Sequence, residues 1–136
     1  MSFVLDNSVA LAWCFADEQT PAVMALLDRV VERGAVAPQL WPVEALNGLL
    51  AAERRGRIEP GRRHRLAGFL RDLPVVIDNE MAEQAWTASA VLAETQRLTM
   101  YDATYLELAI RRGLALATND KALREAALRL GVELLL

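Results

Sequence analysis

Asp6, Glu44, Asp102 and Asp120 are the residues whose types and positions point to chemistry. Each falls where a helix is expected to begin. Asp6 and Asp120 directly follow strand-like runs, Phe3-Val4-Leu5 and Leu114-Ala115-Leu116-Ala117. In an α/β fold with a parallel sheet, the strand ends that lead into helices gather along one edge, so these acids can converge in space. Gathered carboxylates with no compensating Lys or Arg are costly unless a cation fills the space between them. Hard divalent cations such as Mg²⁺ take oxygen ligands. The expected site is therefore a Mg²⁺ or Mn²⁺ site used for phosphoryl chemistry. Without metal, at least one of the four acids is expected to have a raised pKa.

Each acid also has a plainer role open to it. Asp6 is followed by Asn7 and Ser8, either of which can cap the next helix. Glu44 lies in the first turn after Pro42, where the helix dipole favours negative charge. Asp102 has the same dipole role, since Thr99 is available as the cap. Ala117-Thr118-Asn119-Asp120 offers three adjacent cap formers for one helix, which leaves at least one side chain free. Asp78 serves as a control: it also follows a strand, Val75-Val76-Ile77, and reads as a plain cap.

The elements that must position these acids alternate along the chain. Strands are expected at 2–6, 35–37, 75–77, 114–117 and 132–136. Helices are expected at 8–15, 20–33, 42–55, 59–73, 79–97, 101–112 and 120–130. Pro21 marks a helix start, and Gly34, Gly113 and Gly131 mark helix ends. Strands separated by helices argue for a parallel sheet with helices on both faces. The strands are short and nearly all apolar, as expected when both faces are covered. No repeat or linker interrupts the 136 residues, so 1–136 reads as a single domain with a real core.

Composition narrows the chemistry further. With one cysteine, Cys14, and one histidine, His64, Cys-rich and His-based metal sites are excluded, and carboxylates are left. Hydrophobic residues make up 54%, which argues against disorder. No run of eighteen apolar residues suggests a membrane span, and the N-terminus reads as a strand rather than a signal peptide. A cytoplasmic protein with no membrane partner is the expectation. The net charge of −3 is poor for binding nucleic acid by bulk charge. Six arginines between Arg54 and Arg65 are concentrated within twelve residues, however. They read either as solvated helix ends or as an RNA backbone clamp with Arg62 and Arg63 at its centre.

Four segments, in order, resemble motifs of PIN-domain ribonucleases, and within them the VapC toxins. They are Phe3-Val4-Leu5-Asp6-Asn7-Ser8-Val9-Ala10-Leu11-Ala12-Trp13, Pro42-Val43-Glu44-Ala45-Leu46-Asn47, Tyr101-Asp102-Ala103-Thr104-Tyr105-Leu106-Glu107-Leu108-Ala109 and Leu116-Ala117-Thr118-Asn119-Asp120-Lys121-Ala122-Leu123. The third and fourth are the most specific, and the resemblance spans nearly the whole chain. It implies a three-layer PIN-like fold with a parallel five-stranded sheet of order 3-2-1-4-5, and a site at the crevice where the strand order reverses. It also implies a Mg²⁺- or Mn²⁺-dependent endoribonuclease that leaves 5′-phosphate and 3′-hydroxyl ends. Asp6 and Asp102 are expected to bind metal most directly. Asp120 and Glu44 are expected to bind the metal through water or to orient the attacking water, and Ser8, Thr118 and Asn119 to donate hydrogen bonds to carboxylates or phosphate.

A toxin implies an antitoxin partner, and the resemblance further implies a homodimer. The all-apolar helix around Leu11, Trp13 and Phe15 is either fully buried or covered by a partner. With Trp41 it is the candidate antitoxin surface. His64 reads as a surface residue, and Trp41 and Trp86 as core or edge packing. A haloacid dehalogenase-type phosphatase needs a second Asp at position 8, where Ser8 stands, and a receiver domain lacks its Lys after the last strand. The stronger alternatives are a PIN-like domain that binds RNA or a partner without cleaving, and a DNA-directed nuclease on the same fold.

Overall fold

Alternation along the first strand sets up the architecture. In the computed structural model, which describes residues 2–136, β1 (Val4–Leu5) sends Phe3 and Leu5 into one apolar cluster and Val4 into another on the opposite face. The first cluster is closed by α1 (Asn7–Ala12), α2 (Pro21–Arg33), α3 (Leu40–Arg54) and α4 (Pro60–Asp72). The second is closed by α7 (Met100–Arg112) and α8 (Lys121–Arg129), with α6 (Ala88–Gln96) packed on α7. The result is three layers, helices–sheet–helices, as expected for short strands apolar on both faces.

β2 (Ala35–Pro38), β3 (Val75–Asp78) and β4 (Leu116–Ala117) complete a parallel sheet of order β3-β2-β1-β4. The sheet has four strands, not five. The expected fifth, 132–136, holds to β4 by a single parallel bridge, Leu116 to Leu134. It lies where a fifth strand would, beside β4, but only the Leu116 amide to Glu133 carbonyl (2.8 Å) and Leu135 amide to Leu116 carbonyl (3.1 Å) bonds form. β4 itself is two residues long and pairs along both of them with β1.

Most helix limits follow their local signals. Thr20 caps α2 through the Val23 amide (3.2 Å), and Thr99 caps α7 through the Asp102 amide (3.1 Å). Gly113 takes the left-handed conformation that ends α7. The long helix expected at 79–97 is instead broken into α5 (Met81–Ala85) and α6. The break falls at Trp86-Thr87, where Thr87 leaves helical geometry (φ −125°, ψ −93°) with no Gly or Pro to announce it. Trp86 there is 88% exposed, so it is neither core nor edge packing.

α1 is buried by its own chain. Trp13 and Phe15 are only 4% and 6% exposed. Trp13 donates its Nε1 proton to the Val23 carbonyl (2.8 Å), and the Arg57 guanidinium lies over the Phe15 ring (4.0 Å). Leu11 is partly buried against α3 at Gly48, where a Cβ would stand 2.6 Å from its Cδ1. Trp41 is also buried. Of the rings expected beside an antitoxin surface, Trp13 and Phe15 are thus buried by their own chain, while Trp41, though buried, borders an open cleft.

Candidate functional site

β1 and β4 run side by side, with Leu5 opposite Ala117. The Asp6 amide donates to the Ala117 carbonyl (3.0 Å), which brings the end of β1 to the end of β4. The strand order reverses here, since β2 lies on one side of β1 and β4 on the other. Asp6 rather than Asn7 or Ser8 caps α1, and Asp120 caps α8 through the Leu123 amide (2.8 Å). The plain cap role and the edge position therefore coincide in both acids.

A polar stitch fixes Asp6. Its Oδ2 accepts from Ser8 Oγ (2.5 Å), the Ser8 amide (3.3 Å) and Thr118 Oγ1 (2.8 Å). Thr118 is fully buried, and its oxygen also accepts from the Asp120 amide (3.0 Å). The Asn119 amide donates to Ser8 Oγ (2.9 Å). Ser8 and Thr118 thus donate to the Asp6 carboxylate, whereas Asn119 joins through its backbone.

The other two acids come from helices. Glu44 lies in the second turn of α3 and accepts from the Tyr105 hydroxyl at 2.6 Å. Asp102 lies in the first turn of α7. Its carboxyl is pushed up to about 6, first by burial and then by the charges of Asp120, Asp6 and Glu44. Burial also raises Asp6 and Glu44, against hydrogen bonds that pull the other way. The expected raised pKa is met in three acids, and Asp102 feels the charges of the other three.

None of the four takes part in an ion pair among the described residues. Arg124, one turn into α8, donates to the Thr118 carbonyl (3.2 Å). The buried Asn7 Oδ1 beside Asp6 has no hydrogen-bond partner. The donor set, all oxygen and in surplus negative charge, fits a hard divalent cation. It is not a closed cage: among the described residues, no three His, Cys, Asp or Glu side chains converge tightly enough to hold an ion as they stand.

A family model described as PIN domain matches residues 3–128. The chain belongs to the PIN domain family. PIN domains are nucleases. No curated protein matches the sequence. Among solved structures, this PIN domain is similar to PAE2754 from Pyrobaculum aerophilum, with TM-score 0.69 and 24% identity over 93% of this chain and 84% of that one. It is also similar to FitAcB from Neisseria gonorrhoeae, with TM-score 0.67 and 17% identity over 97% of this chain and 95% of that one. At these identities the likeness is one of fold.

The remaining candidates in the PIN domain separate by their partners. Asp78 is more than a cap. Besides accepting from the Glu80 amide (3.0 Å), it takes Arg111 (2.8 Å) and Arg112 (2.8 Å) in ion pairs, and its pKa falls to about 2. It ends the edge strand β3, two strand spacings or about 10 Å from β1. Arg63 is ion-paired to Glu53 (2.7 Å), and Arg57 to Asp17 and Glu18. Of the two arginines expected to centre a clamp, Arg62 is exposed and Arg63 is engaged. The cluster gathers near Cys14 and Phe15, just beyond the end of α1 opposite Asp6. His64 is exposed and lines a largely apolar cleft of about 610 Å³ with Trp41, Leu46, Leu49 and Ile77. Trp41 Nε1 is buried there without a partner.

Tyr105 was not singled out by its type. Its signal was spacing: three residues after Asp102, it shares that acid's helix face.

Proposed function

We propose that this PIN domain is a Mg²⁺- or Mn²⁺-dependent endoribonuclease acting as a VapC-like toxin. The observation that carries the reading is the placement of Asp6 and Asp120 at the paired ends of β1 and β4 with Asp102 and Glu44 close enough for their charges to reach Asp102, whose carboxyl is raised first by burial and then by Asp120, Asp6 and Glu44. A bound divalent ion would lower the pKa of a coordinated water and stabilise charge on the phosphate and the leaving oxygen. Asp6 and Asp102 would hold it most directly, with Glu44 and Asp120 acting through water.

The chain's own residues prepare this. Ser8 and Thr118 occupy Asp6 Oδ2 and hold that carboxylate in one orientation. Asp120 is fixed through Oδ2 by the first turn of α8. No side-chain nucleophile is required. Cys14 is buried and its thiol is pushed up to about 11, so it is an unreactive thiol at neutral pH.

RNA as substrate, a cognate antitoxin, a homodimer and a cytoplasmic location belong to the same proposal and rest on the resemblance of the four motifs. No helix among the described residues is long and apolar enough to cross a membrane. Exposed Arg62, together with Arg54, Arg55 and Arg65, is the basic surface for an RNA backbone. The apolar cleft beside Trp41, rather than the buried rings of Trp13 and Phe15, is the surface for an antitoxin.

Binding of the cation alone tests the site. At a concentration about 100-fold above its Kd, a ligand specific to the folded state adds about 2.7 kcal/mol. Millimolar Mn²⁺ is expected to raise the melting temperature by several degrees, and Asp6→Asn to remove most of that rise. An unchanged melting curve in both Mg²⁺ and Mn²⁺ would count against the site.

A further inference from the structure

The geometry points to Tyr105 as a positioning residue for Glu44: a buried phenol that holds one carboxylate oxygen and leaves the other for the cation. This rests on the metal-dependent reaction proposed above. Glu44 is the acid with the least local restraint. It stands on α3 beside exposed Val43, Leu46 and Asn47. A glutamate there has three side-chain torsions with which to turn toward water. The hydrogen bond that holds its carboxylate comes from α7, from the Tyr105 hydroxyl at 2.6 Å. That distance is typical of a hydroxyl donating to a charged oxygen.

Tyr105 has the opposite character. It is fully buried in a helix whose residues from Ala103 through Ala109 are all buried, so its hydroxyl has a fixed place. A phenol has one proton to give, and it goes to Glu44 Oε1. Tyr105 follows Asp102 by one helical turn. One phenol therefore ties together the elements that carry Asp102 and Glu44. A phenylalanine would fill the same core space but would leave Glu44 free to turn outward.

Tyr105→Phe removes the oxygen and keeps the ring. With the full chain and no RNA, Mn²⁺ affinity by calorimetric titration is expected to fall about tenfold, as for other groups that orient a metal ligand. In RNA cleavage, kcat is expected to fall about 10- to 100-fold with KM little changed. The deciding arm repeats the titration in Glu44→Gln. If Tyr105 acts through Glu44, adding Tyr105→Phe there changes the affinity by less than about twofold. Glu44→Asp, which breaks the same bond from the surface side and leaves the core intact, is expected to weaken Mn²⁺ about as much as Tyr105→Phe. Wild-type affinity in Tyr105→Phe, or an equal loss from Tyr105→Phe with and without Glu44, overturns the assignment. If the wild-type chain itself binds no Mn²⁺, the metal-dependent reading fails and this inference falls with it.

Discussion

Asp102→Asn is expected to abolish RNA cleavage and, at the same time, to make the metal-free protein more stable above pH 6. The Asp102 carboxyl is raised from 3.8 to about 6 in the fold. Below about pH 4 the folded and unfolded chains both hold its proton, and the group contributes no pH dependence. Between there and pH 6 the folded chain keeps a proton that the unfolded chain has lost, so stability falls as pH rises. Above pH 6 the whole penalty is in place, up to about 3 kcal/mol at roughly 1.4 kcal/mol per pKa unit. Asparagine keeps the shape and removes the charge. It forfeits about 0.3–1 kcal/mol of favourable interaction with the N-terminus of α7, which is smaller than the repulsion relieved. Thermal melts without metal should show a gain of several degrees at pH 8 that vanishes near pH 4. Cleavage should fall by about 10³-fold or more, the scale of removing a charge-stabilising group from a transition state. Equal melting temperatures at pH 8 would mean that burial and the neighbouring acids do not penalise the Asp102 charge as described.

Arg111→Ala is expected to cost about 3–5 kcal/mol, the usual penalty for removing one partner of a buried ion pair. Arg111 reaches Asp78 (2.8 Å), Glu107 (2.8 Å) and Glu80 (3.0 Å). Asp78 is 2% exposed and Glu107 4%. Arg112 still covers Asp78 in the variant, but Glu107 is left as a buried charge without its ion-pair partner. This differs from Arg57 with Asp17, an exposed pair that solvent screens. Urea unfolding at pH 7 should show the loss as a lower midpoint with an unchanged slope. A loss under about 1 kcal/mol would show that the network adds little to the docking of α7 on β3.

The acids were legible because each depends on a local junction: a strand that ends, a cap, the first turn of a helix. The two layers of helices were legible for a related reason, since Phe3, Val4 and Leu5 alternate between two apolar clusters. What was not legible depends on contacts between distant segments. Nothing near Trp13 shows that Val23 will accept its proton, nor near Phe15 that Arg57 will cover it. Asp78 looks like any cap until Arg111 and Arg112 arrive from α7. The break at Trp86-Thr87 carries no Gly or Pro, and it precedes a helix that packs along α7. The apolar run 132–136 reads as a strand, yet it meets β4 through a single bridge, Leu116 to Leu134. Tyr105 sat within a quoted motif, yet its bond to Glu44 spans 61 positions of sequence.

The most direct test of the central claim is incubation of total RNA with the purified, antitoxin-free protein in Mg²⁺ or Mn²⁺, with EDTA and Asp6→Asn as controls. Cleavage that both EDTA and Asp6→Asn abolish is the predicted result. Cleavage that persists in EDTA, or in Asp6→Asn at the wild-type rate, would contradict a carboxylate-held metal as the source of activity.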